Sequence, residues 1–520
     1  MEYVYGGLRK SIYDSQSLRR ALARRLDLPE IETVTVERES LDARRKNNIA
    51  HVYNLRFTVS RETPRLRELL ASGKVESYEP QPIPRPEPHI QLPERPHIVG
   101  FGPAGMFLGL HLARKGYRPI IYERGERVDR RAEAVRALWE DGELDPESNL
   151  QFGEGGAGTW SDGKLTTGKS SPLDRLILRT FVEAGAPETI LYSHKPHIGT
   201  DYLRRVVVDF RERITALGGE IRFGHKFEQL HLQDGAVEAI TVSGRRLPTD
   251  AVILAMGHSA RDTVAMLQEA GVAVRPKPFA LGLRIEHPAD FIDEVQYGKR
   301  AAAMLPAADY RLTAHHRGLS VYSFCMCPGG RVVCAASEPG GQVTNGMSRY
   351  ARDGSSSNSA LVVSVNPQKV GLESATEAIA FQRDVEQRAY EAGGGGYVAP
   401  AQRAPDFFHE RPTAPLPQTT YRPAVAPARL DKLLPHFVTD ALRAGLSRFN
   451  RTMPGFIDRG VLIGVETRTS SAVQFPRDDH GQSLSTPGLY VLGEGSGYTG
   501  GIMTSARDAV RFAQLVKERK

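Results

Sequence analysis

The sequence predicts a protein of mixed α/β and α+β class, in which a β-α-β core domain is divided by a large inserted domain and preceded by a small one. Three observations predict this arrangement. A strand–helix–strand pattern spans 97–124, a second strand–glycine–helix junction spans 488–516, and the residues between them lose the alternation of strands and helices after 276. The first sheet is therefore expected to be re-entered late in the chain. The expected boundaries are 1–78 for the small α+β N-terminal domain, 79–96 for a linker, 97–275 and 481–520 for the two parts of the core domain, and 276–480 for a mixed α+β inserted domain.

Length and composition are ordinary for a globular protein in water: 520 residues, of which 40% are hydrophobic and 25% charged. No apolar run is long enough to span a bilayer, and the first residues lack the apolar core of a signal peptide. Three cysteines exclude a disulfide framework and fit a reducing compartment, so we expect a cytoplasmic location and no membrane contact. A formal charge of +7 suits an anionic cofactor or substrate, but does not by itself indicate nucleic acid.

The first 78 residues carry the pattern of a small α+β domain. Helical spacing over 15–26, strand alternation over 31–36 and 50–59, and a second helix over 65–70 predict a split β-α-β arrangement. The basic cluster Arg44–Lys46 and the arginines of the first helix form either a surface for RNA or a solvated polar face. No aromatic residues are interleaved with them to stack on bases, which favours the solvated face and makes a nucleic-acid partner unexpected.

Residues 80–96 contain seven prolines. Proline removes a backbone donor and fixes its own φ, so this segment is neither a regular helix nor a central strand. We expect an extended, semi-rigid linker between the small domain and the core domain.

A G-x-G-x-x-G motif stands between the two apolar runs of the β-α-β pattern. Gly100 permits a tight turn, Gly102 leaves room for a pyrophosphate beside the backbone, and Gly105 lets the helix lie close to the strand. Pro103 marks the helix start, where free N–H groups would face phosphates. Glu123 would accept hydrogen bonds from an adenosine ribose. The unit predicts a dinucleotide site, although the motif alone does not separate FAD from NAD.

A second glycine-rich stretch, QFGEGGAGTWSDGK over 151–164, follows a charged helix over 128–140. Its glycines prevent a stable helix or strand, so we expect it to bring backbone close to something flat or anionic. Thr159, Asp162 and Lys164 would supply hydrogen bonds and a charge. The alternative is a flexible surface loop, against which Trp160 argues, because exposed tryptophan is uncommon.

The C-terminal junction favours FAD over NAD. A strand over 489–492 leads into Gly493-Glu494-Gly495, and a helix follows over 502–516. Glu494 is placed to accept a hydrogen bond from a ribityl hydroxyl, and the N–H groups of 501–503 can face the flavin pyrimidine ring. A single dinucleotide fingerprint argues for bound FAD without a separate NAD domain. The residues predicted to bind the cofactor are Gly100, Gly102, Pro103, Ala104, Gly105, Glu123, Arg124, Arg131, Gly156, Thr159, Asp162, Gly163, Lys164, Gly257, Gly493, Glu494, Gly501, Ile502 and Met503.

Several long motifs carry a resemblance that covers the chain from its N-terminal module to its end. They are SLDARRKN, VGFGPAGMF, QFGEGGAGTWSDGKL, PHIGTD, GHSARD, YSFCMCPGG, VETRTSS and GEGSGYTGGIM. The chain resembles FAD-dependent oxidoreductases with two dinucleotide-binding domains, and more closely the bacterial family of uncharacterised NAD(FAD)-utilising dehydrogenases with a ferredoxin-like N-terminal module. The resemblance implies FAD, a glutathione-reductase-like FAD-binding Rossmann domain, an inserted substrate domain and redox chemistry, but it names no substrate.

Three residues are candidates for catalysis. His258 follows a predicted buried strand and either relays protons or bonds to backbone at a helix start. Lys164 could lie near flavin N5 or O4, where cofactor binding is favoured over catalysis. Arg468 is either a holder of a substrate carboxylate or part of a structural bend. Cys325 and Cys327 form either a redox pair or core packing, and strand alternation, which places both sulfurs on one face, favours the core. No metal site is predicted.

The sequence thus predicts an FAD-dependent oxidoreductase that transfers hydride through flavin N5 to or from an unidentified small-molecule substrate. NAD(P)H is a further expected cofactor only as a transient electron donor. The alternatives are an NAD(P)H-dependent FAD monooxygenase, for which the expected Asp-Gly motif is not found, an RNA-associated flavoprotein, and a flavin-binding scaffold without turnover. Substrate, reaction direction and oligomeric state stay open.

Overall fold

The computed structural model describes residues 1–80, 82–84, 86–413 and 415–519. The N-terminal domain folds because leucines spaced along two short helices, among them Leu22 and Leu66, are buried against one face of a sheet. Ser17 caps the first helix by accepting from the Arg20 N–H. Its elements are β1 (Glu2–Ser11), α1 (Leu18–Leu26), β2 (Ile31–Asp42), β3 (Ala50–Val59), α2 (Pro64–Ala71) and β4 (Glu76–Ser77).

The sheet of this domain is antiparallel, in the order β2-β3-β1-β4. The β-α-β-β-α-β order is the split arrangement expected from the sequence, with two strands that the sequence analysis missed. The missed strand β1 contains an irregularity between Tyr5 and Leu8, where Gly7 has a φ of 79°. This interruption hides the alternation of polar and apolar residues that reveals a strand.

The described part of the linker packs along the C-terminal end of the core domain. The N–H groups of His89 and Ile90 both donate to the Leu515 carbonyl at 2.9 Å, and Lys517 N–H donates back to Ile90. Ile90 and Leu92 are buried in the core-domain cluster. Residues 89–92 are therefore held against the core domain.

The first part of the core domain begins with the β-α-β unit, followed by three further helices and an antiparallel meander. Gly116 has a φ of 85° and ends the helix of the β-α-β unit, as its position in the sequence predicts. The elements are β5 (His97–Val99), α3 (Pro103–Arg114), β6 (Ile120–Glu123), α4 (Val128–Glu140), α5 (Asp174–Glu183), α6 (Thr200–Ala216), β7 (Glu220–Phe223), β8 (Phe227–Gln233), β9 (Ala236–Val242), β10 (Arg245–Pro248), β11 (Val252–Leu254), α7 (Arg261–Glu269) and β12 (Arg275–Pro276).

The inserted domain is built on a seven-stranded mixed sheet in which most neighbouring strands are antiparallel. A capping box between Ser374 and Glu377 starts its longest helix. The elements are β13 (Phe279–Pro288), α8 (Ala289–Tyr297), α9 (Lys299–Ala302), β14 (Thr313–His316), β15 (Leu319–Cys327), β16 (Arg331–Cys334), β17 (Thr344–Met347), β18 (Ser356–Val365), α10 (Ala375–Gly393), β19 (Ala399–Arg403), α11 (Ala404–Phe408), β20 (Val425–Pro427), α12 (Leu430–Leu433), α13 (His436–Thr452), β21 (Val461–Glu466) and β22 (Val473–Gln474).

The chain then returns to the core domain with β23 (Leu489–Val491) and α14 (Ile502–Leu515). The core sheet is parallel, in the order β23-β11-β5-β6-β7, so its last strand lies on the edge next to β11. The two crossings of the chain between domains pair with each other as β12 and β22. The chain therefore returns to its first sheet only after the strands and helices of the inserted domain. Within the described residues, no helix combines the length and apolarity needed to cross a membrane.

Candidate functional site

A cleft of about 250 Å³ lies where the carboxyl ends of the parallel strands meet the inserted domain. Ligands of open parallel sheets bind at this edge, because the loops that follow neighbouring strands converge there. Most of the residues singled out from the sequence line this cleft. They are Gly100, Gly102, Pro103, Ala104, Glu123, Arg124, Gly156, Asp162, Gly163, Lys164, Gly257, His258, Arg468, Glu494, Gly501 and Ile502.

The glycine motif has the close approaches that its spacing predicts. Gly100 has a φ of 101°, and a Cβ there would lie 2.5 Å from the Ala255 carbonyl oxygen. A Cβ at Gly105 would lie 2.0 Å from the Gly100 carbonyl oxygen, so only glycine lets α3 approach β5. Gly102 is different: a Cβ there would contact only the Cα of Gly156, at 3.7 Å. A Cβ at Gly156 would lie 3.0 Å from the Gly102 Cα, so these two glycines bring two backbone segments into contact at the wall of the cleft.

Two helix N-termini open on the cleft. Gly102 precedes α3 and Gly501 precedes α14, and a glycine has no side chain that could cap the helix. At α14, the Gly501 N–H donates to Oε2 of Glu494 at 3.4 Å. The N–H groups of the first helical turn have no partner within the helix and carry partial positive charge, which suits an anion. The two termini fit the pyrophosphate and the flavin ring of FAD, and these residues could hold that cofactor.

Glu123 ends β6 beside the glycine motif and is buried. Its carboxylate accepts hydrogen bonds from three backbone N–H groups: Phe101 at 2.9 Å, Gly125 at 3.0 Å and Gly153 at 2.8 Å. The carboxylate thus joins the glycine motif to the second glycine-rich loop. Its predicted contact with a ribose would be additional to these bonds.

Arg124, the next residue, lies at the rim of the cleft. Its guanidinium stacks on Phe152, with 4.1 Å between Cζ and the ring centroid, and pairs with both Glu147 and Asp262. Lys226 pairs with the same two carboxylates. This end of the cleft therefore has balanced charge.

Five of the predicted cofactor residues lie behind the cleft wall rather than on it. The Arg131 guanidinium is fully buried and donates to the carbonyls of Asn149, Leu150 and Glu154. Thr159 Oγ1 also donates to the Glu154 carbonyl, at 3.1 Å. These two residues fix the glycine-rich loop, so the structure assigns them a supporting position. The others behind the wall are Gly105, Gly493 and Met503.

Asp162 in the same loop joins the core domain to the inserted domain. It is almost fully buried, and Arg352 binds it with two hydrogen bonds of 3.0 Å and 2.6 Å, while Ser348 donates to Oδ1. Burial alone would raise the pKa of Asp162, but the charges of Arg352 and Lys164 outweigh it and hold the pKa below its ordinary value. Lys164 Nζ is farther away, at 3.8 Å. Sequence analysis missed Arg352, which lies in a loop without a motif.

His258 and Glu494 face each other across the cleft floor. Nδ1 of His258 lies 3.3 Å from Oε1 of Glu494, and Nε2 lies 3.1 Å from the Arg468 carbonyl oxygen. Burial raises the pKa of Glu494, but the charge and hydrogen bond of His258 outweigh this and lower the pKa below its ordinary value. The sequence predicted both residues at the cleft, but not their contact with each other.

The structure corrects the expected role of Arg468. Its guanidinium is almost fully buried and bonds to Glu386 at 3.2 Å and 3.0 Å, and also to Ser337. Arg261 binds the same Glu386 carboxylate with two bonds of 2.8 Å. Because Glu386 and Ser337 occupy the guanidinium, Arg468 is not free to hold a substrate carboxylate. Its backbone carbonyl is bonded to His258 at the cleft.

A second buried ion pair supports the inserted-domain wall and was not found from the sequence. Arg284 is fully buried and binds Glu466 through bonds of 2.9 Å and 3.0 Å, and donates to Asn358 at 2.7 Å. Glu466 lines the cleft. The available signal was a single arginine within the apolar run of β13, since a charge in a buried strand requires a partner.

The two neighbouring cysteines differ in environment. The strand pairing is irregular between Phe324 and Cys327, and Cys325 has a φ of 41°. This irregularity interrupts the alternation expected from the sequence. Both cysteines line the cleft, but Cys325 is exposed, whereas Cys327 is buried and donates to the Cys325 carbonyl at 3.3 Å. Both thiols are free. Desolvation by the surrounding protein raises the pKa of Cys325 to about 12 and also raises that of Cys327.

Comparisons with known proteins agree with an FAD site. Residues 278–469 match the family model described as "FAD-dependent protein, C-terminal domain-like". An uncharacterised protein of Clostridium beijerinckii is 42% identical over 518 residues, covering 97% of this chain and 96% of the relative.

Solved structures of flavoproteins resemble the chain more distantly. CtdE in complex with FAD is 14% identical, with 82% of this chain and 83% of that chain covered and a TM-score of 0.32. Halogenase PltM is 12% identical, with 81% and 68% covered and a TM-score of 0.38. Glycine oxidase from Bacillus cereus is 11% identical, with 81% and 94% covered and a TM-score of 0.33.

The match over nearly the whole length of the Clostridium beijerinckii protein and the match of the inserted domain to the FAD-dependent model identify the family. This chain belongs to the same family of FAD-dependent proteins as that relative, and its cofactor is FAD.

Proposed function

We propose that this protein is an FAD-dependent oxidoreductase that transfers hydride between FAD and a small-molecule substrate held beneath the inserted domain. The observation that carries the proposal is the cleft itself. Its core-domain wall offers the glycine motif and two helix N-termini that follow glycines, its opposite wall belongs to the inserted domain, and a histidine–carboxylate pair lies between them. Such a cleft brings a cofactor and a second molecule together.

The cofactor would be held by backbone more than by side chains. The N-terminus of α3, beside Gly102 and Gly156 on the cleft wall, would hold the pyrophosphate, and the N-terminus of α14 would face the flavin. When bound, FAD supplies two-electron chemistry at flavin N5. Glu123 keeps the two glycine loops in register for this purpose through its three backbone hydrogen bonds.

His258 is the proposed proton carrier. The Arg468 carbonyl fixes Nε2 as a donor, so Nδ1 is the atom that takes up or releases a proton. The Glu494 carboxylate, 3.3 Å from Nδ1, stabilises the protonated ring. Hydride transfer to or from a C–H bond next to an O–H or N–H group requires such a proton carrier.

The inserted domain would keep water from the reacting atoms. Arg352 holds Asp162 with two hydrogen bonds, which ties the glycine-rich loop to the inserted domain. Phe324 and Cys325 add largely apolar surface to the wall. Exclusion of water strengthens electrostatic interactions within the cleft and protects reactive species.

Anaerobic stopped-flow absorbance at the flavin band, with NADH and NADPH in turn, tests the proposal. Bleaching by either nucleotide supports an oxidoreductase that uses a nicotinamide donor, and a hydroxylated product on readmitting oxygen would identify a monooxygenase instead. If neither bleaches the flavin, a panel of alcohols, amines and hydroxy acids tests the dehydrogenase direction. The proposal would be contradicted if dithionite reduces the flavin but no nucleotide and no panel compound does.

A further inference from the structure

The charged groups around the cleft are almost all paired. Among the described residues, Glu123 is held by three backbone N–H groups, each other lining carboxylate has a cationic partner or a histidine, and each lining arginine has an acidic partner. The pairs are Asp162 with Arg352, Glu466 with Arg284, Glu494 with His258, Arg468 with Glu386, and Arg124 and Lys226 with Glu147 and Asp262.

Lys164 is the exception among the described residues. Its Nζ makes no hydrogen bond, and its nearest carboxylate oxygen, on Asp162, is 3.8 Å away and already bound by Arg352 at 2.6 Å. The Lys164 side chain is 29% exposed, and the residue lines the cleft. Its backbone is fixed by a bridge to His197. A cation that is partly removed from water and has no close partner favours an anionic ligand.

The position of Lys164 is at the inserted-domain side of the cleft. Its ammonium is near enough to Cys325 and Cys327 to lower the pKa of both thiols, against the larger effect of burial. Phe324, the neighbour of Cys325, lines the same cleft with 37% of its surface exposed. A large aromatic side chain on a cleft wall provides a surface for the apolar body of a ligand.

We propose that Lys164 binds the carboxylate of an organic acid substrate, whose apolar body packs against Phe324. The inference rests on the proposed function, because it takes this side of the cleft to be the substrate side. It names the substrate class of that site: a small apolar or aromatic carboxylic acid.

Titration of the FAD-bound protein with benzoate tests this inference without turnover. Benzamide has the same ring without the charge, and inorganic phosphate has the charge without the ring. Binding is followed by perturbation of the flavin absorbance band. The variants are Lys164→Met, which removes the charge at similar size, Lys164→Arg, which keeps it, and Lys369→Met, which removes an exposed lysine remote from the cleft.

We expect benzoate to perturb the band with a Kd at least about tenfold lower than those of benzamide and phosphate. Lys164→Met should raise the Kd of benzoate by about tenfold and leave that of benzamide unchanged, whereas Lys164→Arg and Lys369→Met should stay close to the wild type. Equal binding of benzoate by wild type and Lys164→Met, equal binding of benzoate and benzamide, tighter binding of phosphate, or no perturbation by benzoate would each overturn the inference.

The proposed function is judged by a separate readout, the reduction of the flavin. A flavin that donors reduce, together with benzoate binding that ignores Lys164, leaves an oxidoreductase with a different substrate class. Alternatively, benzoate binding could depend on Lys164 while no donor or panel compound reduces the flavin. That result would establish an anion site and refute the proposed oxidoreductase function.

Discussion

Nδ1 of His258 lies 3.3 Å from Oε1 of Glu494, although the two residues are far apart in the sequence. They meet because β11 and β23 are neighbouring parallel strands, and each residue follows the carboxyl end of its strand. The two loops touch so closely that a Cβ at Gly495 would lie 2.4 Å from the Gly257 carbonyl oxygen. A whole domain is inserted between β12 and β22. The contact is nevertheless kept, because β12 and β22, where the chain leaves and re-enters the core domain, pair with each other.

The first prediction concerns His258 as proton carrier. His258→Asn retains a polar side chain but cannot hold a proton at neutral pH, so it should slow turnover of any substrate that bleaches the flavin by about 100- to 10,000-fold. Flavin content should not change, because the proposed FAD contacts are mainly backbone. Steady-state rates normalised to bound flavin measure the effect. A variant with wild-type rates at all pH values would exclude the role.

The second prediction concerns the pH dependence of stability at Glu494. The Glu494 carboxyl is partly buried, and its pKa is below the ordinary value of 4.5 because the charge and hydrogen bond of His258 outweigh the effect of burial; Lys277 also faces it. A depressed pKa stabilises the folded state fully above the ordinary pKa, and this stabilisation is lost as pH falls through the lower, folded-state pKa. Urea unfolding at pH 7 and pH 4 should therefore show a smaller loss of unfolding free energy in Glu494→Gln than in the wild type. The same loss in both proteins would contradict the assignment.

The third prediction concerns Gly102 on the cleft wall. A Cβ there meets only Gly156 Cα, at 3.7 Å, so Gly102→Val should fold, while its methyl groups should crowd the N-terminus of α3 where the pyrophosphate is proposed to bind. We expect loss of the flavin spectrum with an unchanged far-UV circular dichroism spectrum. Gly168→Val is the matched control, because a Cβ at that exposed glycine has no atom within 4 Å. A folded Gly102→Val protein with full flavin content would place the cofactor elsewhere.

The fourth prediction concerns Cys325 and Cys327. Both thiols are free and desolvation raises the pKa of each, so neither is poised to attack as a thiolate. Anaerobic dithionite titration should therefore take up two electrons per bound FAD, whereas a disulfide between them would take two more. The double variant Cys325→Ser/Cys327→Ser should give the same titration. A larger uptake that this variant removes would establish a redox pair.

The sequence was most informative where backbone sets the structure and least where long-range side-chain pairs do. Gly100, Gly105 and Pro103 were predictable because turn geometry and close approach demand those residue types at fixed spacing. The ion pairs of Arg352 with Asp162 and of Arg284 with Glu466 were not, because nothing local in sequence encodes which distant charges meet in the fold. Arg468 was misread for the same reason: its partner, Glu386, lies on α10. The irregularity at Cys325 defeated the alternation rule, since one extra residue in a strand reverses which face the next side chain occupies.

The last prediction concerns the buried cluster around Glu386, which holds Arg468 and Arg261 together beneath the cleft. Glu386 is fully buried, and both arginines bind its carboxylate, so Glu386→Ala would leave two buried guanidinium groups without their main partner. Breaking a buried ion pair on one side costs about 3–5 kcal/mol, and we expect a decrease of that size in the free energy of unfolding measured in urea. Glu391→Ala, an exposed position on the same helix, should change it by less than about 0.5 kcal/mol. Because Arg261 begins α7 in the core domain while Glu386 belongs to the inserted domain, a small effect at Glu386 would mean that this cluster does not join the two domains energetically.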